Sequence, residues 1–258
     1  MQELQIGDLK IKLYSSSEDL PIKRYVKFQK YLLIDSGVGS DIEAIGGHFA
    51  KLFEYQTHNL TEQALQETKN LYYNFYLIIS EVSALGYSFC CLIHSINDEE
   101  ITDFSEENLA VLLERINKAK ASQKEIAEKV SAIKKKIQSE LKLYAPNFFN
   151  EDESLRFYQL VKSKITLLSE RYDKDDEESK ALIMQIERSF AEFCPPQNFD
   201  SGSRDNATIA LEINFESLCA SLESNGVTTP QELTTFQFYA RLEHFRKLAV
   251  AAVTKKPE

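Results

Sequence analysis

Residues 126–144 read IAEKVSAIKKKIQSELKLY and show the clearest periodicity in the chain. Apolar residues recur at steps of four and three, the spacing of a helix face that packs against a neighbouring helix. This seam consists of Ile126, Val130, Ile133, Ile137, Leu141 and Tyr144. The basic run Lys134–Lys136 lies off the seam and is interpreted as a solvated face. Pro146 ends the pattern, because proline cannot continue a helix.

A second helical pattern follows after a short Pro-Asn loop, over residues 152–172. Because the loop is short, we expect 121–145 and 152–172 to pack together as an antiparallel helical hairpin. The acidic run Asp173–Glu178 comes next and is interpreted as a solvated helix start, since carboxylates favour the positive end of a helix. The helix it opens is predicted to stop before Pro195-Pro196.

Helical signals also flank this region. Ser40 and Glu43 form a capping box that predicts a helix start, and a second helix is expected from about Thr61. The apolar stripe of the first helix is Ile42, Ile45, Phe49, Leu52 and Phe53. Near the carboxyl end, Thr229-Pro230-Gln231-Glu232 is a further start signal, with a restart of the helix at Thr234–Thr235 as an alternative.

Strand signals are confined to the first hundred residues. Leu4–Tyr14 alternates apolar and polar residues and predicts a short strand. Tyr25–Ile34 fits either a strand or a short helix, and Tyr87–Ile96 is equally ambiguous. The sequence therefore predicts a mainly α fold, a multi-helix bundle with a long helical hairpin and a small N-terminal β element.

Four segments are expected. They are an N-terminal β-containing segment at 1–39, a helical domain at 40–196 with the hairpin at about 121–172, a linker at 197–206, and a C-terminal helical segment at 207–258. The proposed linker is polar and contains Gly202.

Composition narrows the functional classes. The 258 residues carry a formal net charge of −10. This charge repels the phosphate backbone and anionic lipids, so nucleic-acid binding is not the expected function and docking on anionic membranes is disfavoured. The four cysteines include the adjacent pair Cys90-Cys91 and form no CxxC motif. The chain opens with MQELQIGDLK, which lacks the pattern of a signal peptide. We therefore expect a soluble protein of a reducing cytoplasm with free thiols.

Candidate chemistry is sparse. Gly37-Val38-Gly39-Ser40 precedes a helix and resembles a phosphate-binding turn, but it lacks the third glycine of a dinucleotide motif, so a tight turn with a helix cap is favoured. Cys91 and His94 are close in sequence, yet Cys91 lies in an apolar run typical of an inert buried thiol. No two histidines lie three to five residues apart. We predict no catalytic, cofactor-binding or metal-binding residues and no cofactor.

Aromatic residues are the strongest positive signal. Tyr72, Tyr73, Phe75 and Tyr76 cannot all face one side of a helix, so a second aromatic face is required. Such a face often marks a protein interface, with a multilayered core of a single monomer as the alternative. The predicted interface residues are Tyr73, Tyr76, Phe236, Phe238, Tyr239 and Phe245.

Three stretches carry a family resemblance. They are Leu20–Tyr25 with Lys30–Asp41, Pro230–Tyr239, and Lys134–Leu141 followed by Tyr144-Ala145-Pro146. Their texture resembles structural or tail-assembly proteins of tailed bacteriophages, especially those of Bacteroidota hosts. None of these stretches is a catalytic motif, so the resemblance assigns no functional residues.

The resemblance implies a non-enzymatic structural protein of the virion, in the tail, neck, head–tail connector or capsid accessory parts. Its partners would be other phage structural proteins or further copies of itself, with no small-molecule substrate and no membrane. It would occur in the virion and, during assembly, in the host cytoplasm. One alternative is a cytoplasmic tail-assembly chaperone that binds a client helix and is absent from the virion. Another is an enzyme of unrecognised type.

Overall fold

The computed structural model describes residues 1–149, 152–170, 177–193 and 195–254. Its strands are β1 (Gln2–Ile6), β2 (Leu9–Leu13), β3 (Ile93–Ile96) and β4 (Glu99–Glu100). Its α-helices are α1 (Ile22–Gly37), α2 (Ile42–Thr57), α3 (Thr61–Ile79), α4 (Ala84–Cys91), α5 (Glu106–Lys118), α6 (Gln123–Tyr144), α7 (Asp152–Glu170), α8 (Glu177–Phe193), α9 (Ala207–Ser224) and α10 (Thr235–Thr254). The prediction of a mainly α protein with a small N-terminal β element is confirmed.

The four strands form one antiparallel sheet in the order β1-β2-β3-β4. In β2, Leu9, Ile11 and Leu13 are buried while Lys10 points to solvent, as the alternating pattern predicts. The predicted single strand is in fact a hairpin, because the turn at Gly7 and Asp8 divides it.

Helix α1 and the short helix α4 pack along each other at the centre of the core. The ambiguous segment Tyr25–Ile34 belongs to α1, and its buried residues follow helical spacing. The second ambiguous segment, Tyr87–Ile96, contains both element types, because α4 ends at Cys91 and β3 begins at Ile93. The periodicity of a short apolar run cannot distinguish a helix from a strand when the element is buried on all sides, as α4 and β3 nearly are.

Arg24 fastens α1 to the sheet. It is buried, and its guanidinium donates hydrogen bonds to the carbonyl oxygens of Ile93, at 3.0 Å, and of Ile101. The same group lies over the rings of Tyr14 and Phe104, at 5.5 and 5.0 Å from the ring centroids. Carbonyl acceptors and aromatic faces thus compensate for the loss of water around this cation.

Five of the six seam residues of α6, from Ile126 to Leu141, are buried as expected, whereas Tyr144 is exposed. The neighbour of this seam is not the one predicted. Helix α6 packs against α4 and α10, and α7 packs against α8. The long helical hairpin therefore lies one helix further along the chain, with Lys164 of α7 and Glu187 of α8 joined at 3.0 Å. The regular seam shows that α6 needs an apolar neighbour, and the large apolar core that contains α4 supplies one.

The predicted linker lies against the helical body. Phe199 is buried, packs on Tyr73 and closely approaches Gly37. Asn206 ends the segment as the N-cap of α9. The division into segments at 39, 196 and 206 stays a prediction.

Two predicted helix starts are displaced. Asp41, not Ser40, caps α2, and its carboxylate accepts a hydrogen bond from the amide of Ala44 at 2.9 Å. Pro230–Glu232 forms a short 3₁₀ turn, and α10 begins at Thr235, the restart position that the sequence also predicted. There Thr234 Oγ1 accepts a hydrogen bond from the amide of Gln237 at 3.3 Å. In both cases a neighbouring polar residue performs the capping that the sequence pattern offered.

Candidate functional site

The cysteine–histidine pair considered from the sequence does not have the geometry of a nucleophile. Cys91 is fully buried, and this burial raises the pKa of its thiol to about 12. A thiolate is therefore scarce at neutral pH. His94 instead places its Nδ1 3.2 Å from the hydroxyl of Tyr14. The interpretation of Cys91 as an inert core residue fits these observations.

The Gly37–Ser40 turn is used inside the protein. The carbonyl of Val38 accepts hydrogen bonds from His48 Nε2, at 2.7 Å, and from Asn74 Nδ2, at 3.1 Å. Ser40 Oγ accepts a hydrogen bond from the amide of Ala84 at 3.1 Å. Because the carboxylate of Asp41 already caps α2, the turn presents no open helix end to a phosphate.

Helices α2 and α3 pack mainly against each other and form an arm on the helical body. Their contact face is unusually polar. Glu67 and Asn74 of α3 are fully buried, and so is nearly all of His48 of α2. His48 Nδ1 lies 2.7 Å from Glu67 Oε1. Together with the bonds to the Val38 carbonyl, this pair ties both helices to the turn that precedes α2.

Charge reinforces that contact. A carbonyl can only accept, so His48 Nε2 must donate to Val38, and its Nδ1 faces the carboxylate of Glu67. Burial opposes a charge on His48, but the hydrogen bonds to Glu67 and Val38 outweigh burial, and the pKa of His48 is raised above its ordinary 6.5. Lys51 Nζ lies 3.6 Å from the same Glu67 oxygen.

This polar face was not predicted from the sequence. Glu67, Asn70 and Asn74 recur at steps of three and four, so a regular signal was present. Such a stripe ordinarily predicts a solvated face, whereas all three side chains are buried here. Glu67 Oε2 and Asn74 Oδ1 have no hydrogen-bond partner among the described residues. Helix α3 therefore buries polar groups that an ordinary surface helix exposes.

The opposite faces of the arm are apolar and exposed. On α2, the exposed fractions are 75% for Ile42, 48% for Phe49 and 68% for Phe53. On α3, they are 77% for Tyr72 and 58% for Tyr76. We call the full set the outer residues: Ile42, Phe49, Phe53, Leu65, Tyr72, Phe75, Tyr76 and Ile79.

Within the apolar stripe of α2, Ile45 and Leu52 are half-buried, and the other three residues are exposed. The stripe is wider than the one face that α3 covers, so Ile42, Phe49 and Phe53 remain on the solvent side.

A cleft of about 980 Å³ runs beside α3, between α1 and the segment 199–208. Its tyrosines are Tyr31, Tyr72, Tyr73, Tyr76 and Tyr87. The ring of Tyr73 stacks on that of Tyr76 with 6.1 Å between centroids. Burial raises the pKa of Tyr73 and of Tyr87, so their hydroxyls stay protonated and can donate hydrogen bonds.

The cations of the cleft are paired within the chain. Lys30 Nζ lies 3.0 Å from Glu212 and 3.6 Å from Glu106, and Lys69 lies 3.6 Å from Asp200. The cleft consequently offers aromatic faces and hydroxyl groups more than free charge. That combination suits the side chains of another protein.

The six predicted interface residues lie on two helices, two of them on α3 and four on α10. Tyr76 is exposed and Tyr73 is half-buried at the cleft. Phe238 is fully buried, so assigning it to an interface is wrong. The other three, Phe236, Tyr239 and Phe245, are half-buried. Tyr239 meets Phe238, Phe149 and Tyr25 edge to face, which makes it part of an aromatic core.

The charged runs show solvated positions where they are described. Lys135 and Lys136 are exposed and Lys134 is half-buried, and Glu177 and Glu178 are exposed at the start of α8. Asp173–Asp176 and Cys194 lie outside the described residues.

Within the described ranges, no group of three or more His, Cys, Asp or Glu side chains is arranged to hold a metal ion. A helix with the length and apolar character needed to cross a membrane is also not found among the described residues. No protein-family model, curated protein or solved structure matches the chain.

Proposed function

We propose that this chain is a non-enzymatic structural protein that acts through protein–protein contacts, with the α2–α3 arm as a principal contact surface. One observation carries the proposal. The outer residues are large and apolar, and they lie on the side of each helix that the described part of the chain leaves uncovered.

Exposure of these side chains is energetically unfavourable in water. Burial of apolar surface contributes about 25 cal/mol for each Å². Monomeric proteins rarely leave extended apolar patches exposed unless a partner covers them. Tyr72 and Tyr76 are also of the residue type that interfaces favour, because a tyrosine combines a large apolar ring with a hydroxyl.

The resemblance to tailed-phage proteins supplies the setting of the proposal. The chain would be a tail, neck, connector or capsid accessory component of a virion. It would meet other structural proteins, or further copies of itself, in the host cytoplasm during assembly.

Mass spectrometry of purified phage particles tests the proposal. The wild-type chain is expected in the particles at a fixed copy number. Tyr76→Asp places a charge on the arm and is expected to reduce incorporation strongly, because a buried unpaired charge opposes docking. Ile213→Asp is the matched control, since Ile213 is exposed on α9, away from the arm.

Two outcomes contradict the virion assignment. One is absence of the wild-type chain from particles, and the other is equal incorporation of the two Asp variants. Both variants must unfold at the wild-type temperature for the comparison to count.

A tail-assembly chaperone is the second candidate. The tyrosine-lined cleft favours it, because a cleft of about 980 Å³ accommodates several side chains of a client helix. A chaperone would co-purify with a client from infected cells and be missing from mature particles. Tyr73→Ala would then weaken client binding, since its ring forms part of the cleft wall.

A further inference from the structure

The base of the arm carries an acidic groove. It has a volume of about 430 Å³, and three carboxylates line it, from Asp41, Glu43 and Glu81. Ile42 and Ile78 supply apolar surface in the same groove. No lysine or arginine is among its lining residues. The groove therefore combines negative charge with an apolar floor.

The negative charge of this region acts on a neighbouring group. The pKa of Asp35 is raised, first by burial and second by the like charge of Asp41, with Lys134 opposing the shift. The field of Asp41 thus reaches from the groove to α1, and a cation bound beside Asp41 would reduce this repulsion.

An apolar stripe on α2 continues from the groove. Ile42 belongs to both features, and Gly46, Phe49 and Phe53 follow at steps of four, three and four. These steps place all four residues on one face of the helix. Gly46 lies mid-helix, and a β-carbon built there would meet nothing within 4 Å. Since no neighbour among the described residues requires this glycine, the space above it is available for the backbone of a partner.

The residues of the stripe are arranged almost symmetrically along α2. A second copy of α2 is therefore one candidate to cover them. An antiparallel α2 would place Phe49 of one copy over Gly46 of the other, and Ile42 beside Phe53. However, Glu43 and Glu54 lie on the same flank of α2. The same arrangement would bring Glu43 of one copy within about two residues, ~3 Å along the helix, of Glu54 of the other. Like charges at that spacing disfavour self-pairing.

We propose that the outer stripe of α2 and the acidic groove at its base together bind a basic amphipathic helix of a partner protein. The apolar side of that helix would lie on Ile42, Phe49 and Phe53. Its lysine or arginine side chains would reach the carboxylates of Glu43 and Glu81. This inference rests on the proposed function as a protein-binding subunit and specifies the chemistry of one partner.

A designed peptide of about 16 residues, the length of α2, tests the inference. It carries leucines at helical spacing and lysines elsewhere, with a fluorescent label for anisotropy measurements on the full chain. A second peptide keeps the leucines and replaces each lysine by glutamate. The lysine peptide is expected to bind at least about tenfold more tightly than the glutamate peptide, with an affinity that falls as salt is added.

Variants localise the binding. Glu43→Lys/Glu81→Lys is expected to weaken binding of the lysine peptide by about tenfold or more. The control Glu107→Lys/Glu223→Lys changes the net charge equally at exposed positions on α5 and α9 and is expected to leave most of the affinity. Phe49→Asp should abolish binding while the helical circular dichroism is retained, because Phe49 lies outside the core.

Three results overturn the inference: no binding of the lysine peptide, equal losses in the two double variants, or a concentration-dependent dimer that Phe49→Asp removes. The last result would identify a second copy as the occupant. Each can occur while the chain is still found in phage particles, so failure of this inference is distinguishable from failure of the proposed function.

Discussion

Helices α3 and α10 carry similar aromatic clusters but place them in opposite environments. On α3, Tyr72, Phe75 and Tyr76 are exposed, and the side turned to α2 contains buried polar groups. On α10, Phe238 is fully buried and Tyr239 joins an edge-to-face cluster. The two helices differ in their neighbours, since α10 packs against α1, α6 and α9 whereas α3 packs mainly on α2.

This difference shows that an excess of aromatic residues on a helix can have either of two structural causes. Aromatic residues on two sides of a helix require two neighbouring layers. On α10 the same chain supplies both layers. On α3 the chain supplies one, and the outer residues remain for a partner. Stability measurements on single substitutions can test this distinction directly.

The largest expected difference is between Phe238→Ala and Tyr76→Ala. Removal of the fully buried Phe238 ring is expected to lower the free energy of unfolding by about 3–5 kcal/mol. Loss of the exposed Tyr76 ring should change it by less than about 0.5 kcal/mol. Urea denaturation monitored by circular dichroism measures both. Similar losses in the two variants would mean that the rings of α3 are covered within the chain.

The polar face of α3 is the next test. His48→Leu leaves the buried carboxylate of Glu67 without its closest cationic partner, and we expect a loss of about 3 kcal/mol. The matched control is His244→Leu, because His244 is exposed on α10 and should cost less than about 0.5 kcal/mol. Equal midpoints in urea for the two variants would show that the arm is held by apolar packing alone.

Substitutions of two glycines, one in the turn before α2 and one within α2, should change stability in opposite directions. Gly39 has a φ of +70°, and a β-carbon there would lie 2.4 Å from that of Ala44, so Gly39→Ala should destabilise by about 1–3 kcal/mol. Gly46 is helical with open space above it, and Gly46→Ala should stabilise by about 0.5–1 kcal/mol. Thermal unfolding measures both changes. A destabilised Gly46→Ala would reveal a contact within the chain at this face.

The smallest expected effect is the change with pH in the contribution of His48 to stability. Because the pKa of His48 is raised above 6.5 in the folded chain, its contribution to stability is complete below pH 6.5. It is lost as the pH rises through the folded-state pKa. The stability difference between the wild type and His48→Gln should therefore shrink between pH 6 and pH 9. Comparing the free energies of unfolding of the two proteins cancels the contributions of the titratable groups that they share. A difference between them that grows with pH would contradict the raised pKa of His48.

Much of the local structure followed from residue patterns. The seam of α6 is buried at each of its first five apolar positions, from Ile126 to Leu141, because helical spacing alone places these residues on one face. The burial of Cys91 followed from its apolar neighbours. In contrast, the partner of α6 could not be predicted, since an apolar seam fits any apolar face of suitable length.

Only part of the candidate site could be predicted from residue patterns. The requirement for a second aromatic face on α3 was correct, because four aromatic residues within five positions span more than one side of a helix. The buried pair of His48 and Glu67 was missed, since polar residues at helical spacing usually face water. The acidic groove was missed because Glu81 and Asp41 meet only after α2 and α3 fold back on each other.

Residue order determined which faces of each helix are apolar, where charge accumulates and which thiols cannot ionise readily. These are local properties, set by periodicity and by the nature of neighbouring side chains. Which apolar face became core and which stayed exposed depended on contacts between distant segments. The physical reason is that the hydrophobic effect is non-directional. It favours covering every apolar face, and the packing of the whole chain decides that Phe238 is covered while Phe49, Phe53 and Tyr76 are not.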